Sequence, residues 1–221
     1  MQCTLYILKS WDINFKTFLF FGFIGFSVFS FGQNKAKNIF SSNNISEIII
    51  DGDQIFSIKV TTEKSETITI NSVSDGDYGN DYQVISKVKD KQLFVALNRI
   101  SVEKIPDDKR NAHKVVAAAL EIKIPESLNL SVKSDVGSVE AKGRFNEIKF
   151  NLLQGGCTID GTAQLATIKT VDGNIFVRTK NAIIQTDSHH GLVDFPSDML
   201  GFNVWRLTTN GGNITVKKIE Q

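Results

Sequence analysis

Cysteine, proline and histidine are scarce: 2, 3 and 3 in 221 residues. Two cysteines cannot build a disulfide scaffold, and no Cys/His set has the spacing of a structural zinc site. An excess of one charge is also missing. The 25 Lys+Arg against 24 Asp+Glu leave a formal net charge of +1, which removes the electrostatic case for a nucleic-acid partner. No Gly-x-Ser-x-Gly elbow, His-Glu-x-x-His helix or phosphate-cradling glycine loop occurs, so the common hydrolase and nucleotide signatures are absent. What remains is 41% hydrophobic and 22% charged, the composition of a folded globular chain.

Half of the 16 phenylalanines precede residue 32, and every residue from Phe18 to Phe31 is apolar, Gly or Ser. A run of that length is short for a membrane span of about 20 residues and suits the core of an export signal. Lys9 and Lys16 give the positive leading region, and Ser30 and Gly32 place a cleavage site before Gln33. Residues 1–32 are therefore expected to be a signal peptide, with the protein exported to the periplasm or the cell surface. Cys3 lies ahead of the apolar core and cannot be a lipoprotein cysteine. Removing Lys9, Lys16 and Asp12 takes the 25 and 24 charges to 23 and 23 and leaves Cys157 alone.

Residues 33–131 read as short strands with one buried face. Apolar residues alternate at Ile48 and Ile50, at Phe56, Ile58 and Val60, at Ile68 and Ile70, and at Leu93, Val95 and Leu97. The same alternation continues through Ala118, Leu120, Ile122 and Ile124, then Leu128, Leu130 and Val132. Period two over such runs is the strand signature, and turn residues such as Asp51-Gly52-Asp53 separate them. This region is expected to be an antiparallel lead-in.

Residues 132–221 carry a repeat. Gly137, Gly155, Gly173 and Gly191 are each 18 apart, followed two residues later by Val139, Cys157, Ile175 and Val193, and four later by Ala141, Ile159, Val177 and Phe195. A further copy, Asn210 to Val216 around Gly212, follows an enlarged segment from Phe195 to Trp205. Self-similarity at a fixed period, with glycine corners and short strands, predicts a β-solenoid of about 18 residues per rung. Gly137, Gly155, Gly173, Gly191 and Gly212 are its expected corners. Cys157 falls on an inward position and reads as a small buried hydrophobe. The enlarged segment is either a cap over the last rung or a partner-binding patch built from Met199, Phe202 and Trp205.

The stretch Ile124-Pro125-Glu126-Ser127-Leu128, followed by Val136-Gly137-Ser138-Val139, Gly156-Cys157-Thr158-Ile159, Asp172-Gly173-Asn174-Ile175 and Gly212-Asn213-Ile214, resembles the DUF4097 group of bacterial envelope proteins. These are adhesin-like or auto-transporter-adhesin-like β-solenoids related to head-GIN domain proteins, and the resemblance spans roughly residues 45–220. The leader ending in Gly-Gln is similar to a Bacteroidetes-type export signal. The resemblance implies an all-β chain ending in a right-handed single-stranded β-helix, located in the cell envelope. It implies no catalytic or cofactor-binding residue.

Other chemistry is sparse. His189 and His190 sit at a corner with Asp187 or Asp194 as the only local third ligand, and an exposed turn explains them better. Asp75, Asp77, Asn80 and Asp81 concentrate oxygens around Gly76 and Gly79, but lack the bidentate Glu that closes a calcium loop. No metal site is assigned. Asp160, Asp172, Asp187 and Asp194 are scattered among corner positions, against a glycan-cleaving β-helix. Val102 to Lys114 reads as a polar surface loop around Pro106. The basic strand Ile214 to Ile219 is faintly like a secretion-sorting tail. The expectation is a non-enzymatic, exported, adhesin-like or scaffold module with a glycan or an envelope or extracellular protein as partner. A periplasmic sensory or regulatory accessory protein is the alternative, and a polysaccharide-cleaving enzyme the third.

Overall fold

The computed structural model describes residues 34–75, 82–100 and 117–220. The expected signal peptide, the Asp77–Asp81 oxygen cluster, His113 and the Val102–Lys114 loop lie outside the described residues. Among the described residues there are fifteen strands and no helix. The alternating sequence explains this, because period-two apolar runs expose one face and bury the other, and a helix would scatter them.

The strands are β1 (Asn34–Ser41), β2 (Glu47–Asp51), β3 (Ile55–Glu63), β4 (Thr67–Asp75), β5 (Tyr82–Lys89), β6 (Gln92–Arg99), β7 (Ala117–Pro125) and β8 (Asn129–Ser134). There follow β9 (Ser138–Gln154), β10 (Cys157–Asp172), β11 (Ile175–Thr179), β12 (Ala182–Ser188), β13 (Val193–Asp194), β14 (Asn203–Thr209) and β15 (Ile214–Lys218). One hydrogen-bonded sheet joins them all, and it is folded into two faces. The first face runs β1-β4-β7-β3-β9-β10-β11-β15-β13. The second runs β5-β6-β2-β8-β9-β10-β14-β12.

Strands β9 and β10 belong to both faces. The first part of β9 pairs with β3 (Val139 beside Ile58) and the later part with β8 (Ile148 beside Leu130). The bend between them is at Gly143, whose φ is +120°. A side chain on Gly161, the matching residue of β10, would collide with the Gly143 carbonyl, so two glycines let adjacent chains turn the same corner in contact. Inward residues of both faces, from Ile48, Ile58 and Leu93 through Phe150, Ile168 and Trp205 to Ile214, form one core.

The lead-in departs from the antiparallel expectation. Only β1–β4, β4–β7 and β5–β6 are antiparallel; β2 runs parallel to β6 and β8, and β3 parallel to β7 and β9. Alternation reports a single buried face, and a strand wrapped around a core with water outside has one whichever way its neighbour runs. The change of pattern near residue 132 is one of spacing. The described residues form a single compact unit, in which β8 and β9 bond directly to β2 and β3.

The final turns are stacked out of sequence order. Val139, Cys157 and Ile175 sit side by side, 18 residues apart. The next neighbour of Ile175 is Ile214, and Val193 lies beyond it. On the other face β14 likewise enters between β10 and β12, with Trp205 beside Ala166 and Ile184. The more apolar turn thus takes the interior place: Trp205, Leu207, Ile214 and Val216 are buried, whereas Leu192, Val193 and Phe195 remain exposed. The histidine-bearing turn is left at the edge, where β13 is a two-residue strand.

Candidate functional site

Two features could carry function: the glycine corner that repeats along the stack, and a groove beside the segment joining β13 to β14.

The corner is built from a hydroxyl three residues before a glycine. Ser134 Oγ accepts a hydrogen bond from the Gly137 amide (2.9 Å) and donates one to the Gly52 carbonyl (3.1 Å). Ser188 Oγ accepts from the Gly191 amide (3.0 Å) and donates to the Gly212 carbonyl (3.0 Å). Thr209 Oγ1 accepts from the Gly212 amide (3.0 Å), and Thr170 Oγ1 donates to the Gly173 carbonyl (2.7 Å). Each hydroxyl adds a hydrogen bond to backbone groups of the tight turn. The exception is Gly155, preceded at that position by Leu152. It turns with a φ of +86°, a conformation glycine adopts at little expense.

Those corner glycines are also in contact. A side chain on Gly155 would meet the Gly137 carbonyl, one on Gly173 the Gly155 carbonyl, one on Gly212 the Gly173 carbonyl, and one on Gly191 the Gly212 carbonyl. An asparagine follows the same order: the Asn213 amide donates to Asn174 Oδ1 (2.8 Å), and Asn213 Oδ1 accepts from the Leu192 amide (2.8 Å). The Ser/Thr-x-x-Gly spacing is plain in the sequence. The apolar pattern after each glycine masks it, since the hydroxyl stands before the glycine and outside the alternating run.

The groove has a volume of about 580 Å³ and is lined by Asn181, Ile183, Ile184, Met199 and Phe202 among others. Its lip is apolar and open to water: Leu200 is 83% exposed and Phe202 97%. The segment is pinned at both sides. The Asn203 amide donates to the Asn181 carbonyl (3.1 Å), and Lys218 Nζ pairs with an Asp198 carboxylate oxygen at 3.2 Å. Gly201 has no room for a side chain against the Asn181 backbone.

The expected patch of Met199, Phe202 and Trp205 is divided by this arrangement. Phe202 is the most exposed of the three, Met199 is buried in the floor, and Trp205 is fully buried. Trp205 Nε1 donates to the Ala163 carbonyl at 3.2 Å inside the core. Its place between Ala166 and Ile184 accounts for this burial, since a small alanine on the adjoining strand leaves the space a tryptophan fills. Trp205 is a core residue and cannot face a partner.

His189 and His190 are exposed, their rings 6.4 Å apart and tilted by 54°. Among the described residues no group of three or more His, Cys, Asp or Glu is placed to hold a metal ion. Asp160 is taken up by Arg178 at 3.5 Å. Cys157 is buried, and burial pushes its thiol up to about 12. Near the Gly52 corner, burial first, then Asp51 and Asp135, raise the Asp53 carboxyl, opposed by Lys133 at 3.9 Å. No helix among the described residues is long and apolar enough to cross a membrane.

No protein-family model matches the chain, and no curated protein matches it. Solved structures do. A "putative cell adhesion protein" from Clostridium sporogenes aligns over 85% of this chain and all of its own, with a TM-score of 0.62 at 13% identity. At that identity the likeness is one of fold. A "putative adhesin" from Bacteroides fragilis aligns over 84% of this chain and 97% of its own at 16% identity, with a TM-score of 0.41. A "putative lipid binding protein" from Parabacteroides distasonis aligns over 85% and 97% at 10% identity, with a TM-score of 0.26.

Proposed function

We propose that the chain is an exported, non-enzymatic binding module, a β-solenoid of the DUF4097 kind that presents its surface as an adhesin-like or scaffold element of a bacterial envelope. In this reading each 18-residue turn is a rung, the corner glycines with their preceding hydroxyls hold the rungs in contact, and residues 1–32 direct export. The observation that carries it is the groove of about 580 Å³ with Leu200 and Phe202 standing exposed at its lip on an otherwise hydrogen-bonded scaffold. Large apolar side chains held in water by a pinned segment are a recognised mark of a binding surface. The Clostridium sporogenes "putative cell adhesion protein", which shares the fold, supports the same role here.

The test is adhesion of cells that display the chain, with glycan and extracellular-matrix coatings as the probes. Wild type is expected to retain cells on at least one coating, and Leu200→Asp with Phe202→Asp to reduce retention about tenfold or more at equal display. Equal retention by both would contradict the reading. A periplasmic accessory protein using the same lip on another envelope protein is the alternative, distinguished by location.

A further inference from the structure

We propose that copies of this chain stack head to tail, the β12/β13 end of one copy docking on the β5/β1 end of the next. The inference rests on the sheet edges and does not depend on the function proposed above. Among the described residues each face of the sheet stops at strands bonded on one side only: β1 and β5 at one end, β13 and β12 at the other. Such edges carry a row of unused backbone donors and acceptors and invite another strand.

Strand direction suits a repeat of the same copy. From β6 to β12 every step of the second face is parallel, and only β5 is reversed. Moving one copy along the stack therefore brings β12 against β5 as an antiparallel pair, seven residues against eight. On the first face the two antiparallel steps β1–β4 and β4–β7 cancel, so β13 meets β1 in parallel.

Charge selects the same arrangement. β1 carries Lys35 and Lys37, and β5 carries Lys87 and Lys89, with no acidic residue in either. β12 carries Asp187 and β13 carries Asp194, with no basic residue in either. Two basic ends or two acidic ends repel each other, while opposite ends attract, so the charges exclude the wrong pairings and allow one. Lysine on an edge strand ordinarily blunts pairing; here the far end of the same molecule supplies the complement.

Apolar surface is concentrated where this contact would form. Of the fifteen large hydrophobic side chains exposed among the described residues, eight, apart from Leu200 and Phe202 at the groove, are on the end strands or the segments beside them. Ile39, Ile85, Val88 and Ile100 are at one end, and Ile183, Leu192, Val193 and Phe195 at the other. A contact between different ends of identical copies, repeated by translation along the stack, yields an open filament.

Sedimentation velocity of the chain, as recovered from a bacterial host, tests this with two charge-reversal variants. One is Lys87→Glu with Lys89→Glu; the other is Asp187→Lys with Asp194→Lys. Wild type is expected to grow in size with concentration, without a plateau at the dimer, and to fall back toward monomer at roughly 1 M salt, where the screening length is near 3 Å. Each variant alone is expected to associate at least tenfold more weakly, and an equimolar mixture of the two to recover assembly, because each reversed end finds its new complement. Should a reversed variant lose its β-sheet circular dichroism, Lys87→Gln with Lys89→Gln and Asp187→Asn with Asp194→Asn provide the weakened ends, with loss of salt sensitivity as the expected result. A wild type that stays monomeric at low salt, a closed dimer, or neutral variants that keep the wild-type salt dependence would overturn the proposal. So would a mixture of folded reversals that fails to recover.

Discussion

Thr209 Oγ1 donates a hydrogen bond to the Gly173 carbonyl at 3.2 Å across 36 residues of sequence. The same oxygen accepts from the Gly212 amide, so one hydroxyl fixes the last turn directly against the Gly173 turn. The turn containing Gly191 is thereby displaced outward. Thr209→Val keeps the shape and removes the hydroxyl, leaving the Gly212 amide without its partner, while the Gly173 carbonyl keeps the bond from Thr170 Oγ1. It is expected to lower stability by about 1–3 kcal/mol, read by urea denaturation, while Thr209→Ser loses less than half as much.

Gly173 and Gly211 are expected to behave differently on substitution by alanine. A side chain at Gly173 would run into the Gly155 carbonyl, which is backbone and has nowhere to go. At Gly211 it would meet first a side-chain oxygen of Asp172 at 2.6 Å, the end of a group that can swing aside. Gly173→Ala is expected to cost several kcal/mol, about 3 or more, and Gly211→Ala to stay within about 1 kcal/mol. Thermal melts of the two variants side by side check the stacking of the corners.

The positions of Trp205 and Phe202 give an equally sharp contrast. Trp205→Ala removes a fully buried ring and its hydrogen bond to Ala163, and is expected to cost about 3–5 kcal/mol. Phe202→Ala removes a ring almost wholly in water and should change stability by no more than about 0.5 kcal/mol. Denaturant midpoints measure both.

This contrast shows what could be read from the chain and what could not. The all-β class was legible because alternation at Ile48, Ile50, Ile58 and Val60 admits no other element, and glycines 18 apart pointed to the pairing of Val139, Cys157 and Ile175 on adjacent strands. The direction of the early strands was not, because a buried face looks the same in parallel and antiparallel neighbours. Nor was the order of the last turns: Ser188-x-x-Gly191 and Thr209-x-x-Gly212 have the same local chemistry, and either could sit on Gly173. The choice is made by total burial, which favours Trp205, Leu207, Ile214 and Val216 inside. Trp205 looked like part of an irregular insertion because it falls outside the 18-residue period. Its neighbour Ala166 is 39 positions away, a separation no local pattern reveals.

Cys157 gives a prediction in pH. Burial raises its thiol from an ordinary 9.0 to about 12, so the folded chain holds a proton that the unfolded chain releases above pH 9. The raised value therefore favours the fold fully below pH 9, and that contribution is lost as pH climbs from 9 to 12, at a slope approaching about 1.4 kcal/mol per pH unit. Replacing the thiol by Cys157→Ala should flatten that part of the stability profile, at some loss of packing. In native buffer near pH 8 the thiol should resist a thiol-reactive dye and react at once in denaturant.

The most direct test of the central proposal, an exported module presenting its surface outside the cell, is protease digestion of a tagged copy on intact cells beside lysed cells. The account predicts digestion on intact cells, which would put the groove and its Leu200 and Phe202 lip in reach of external ligands. Protection until the cells are broken would contradict a surface role and leave the periplasmic accessory reading in its place.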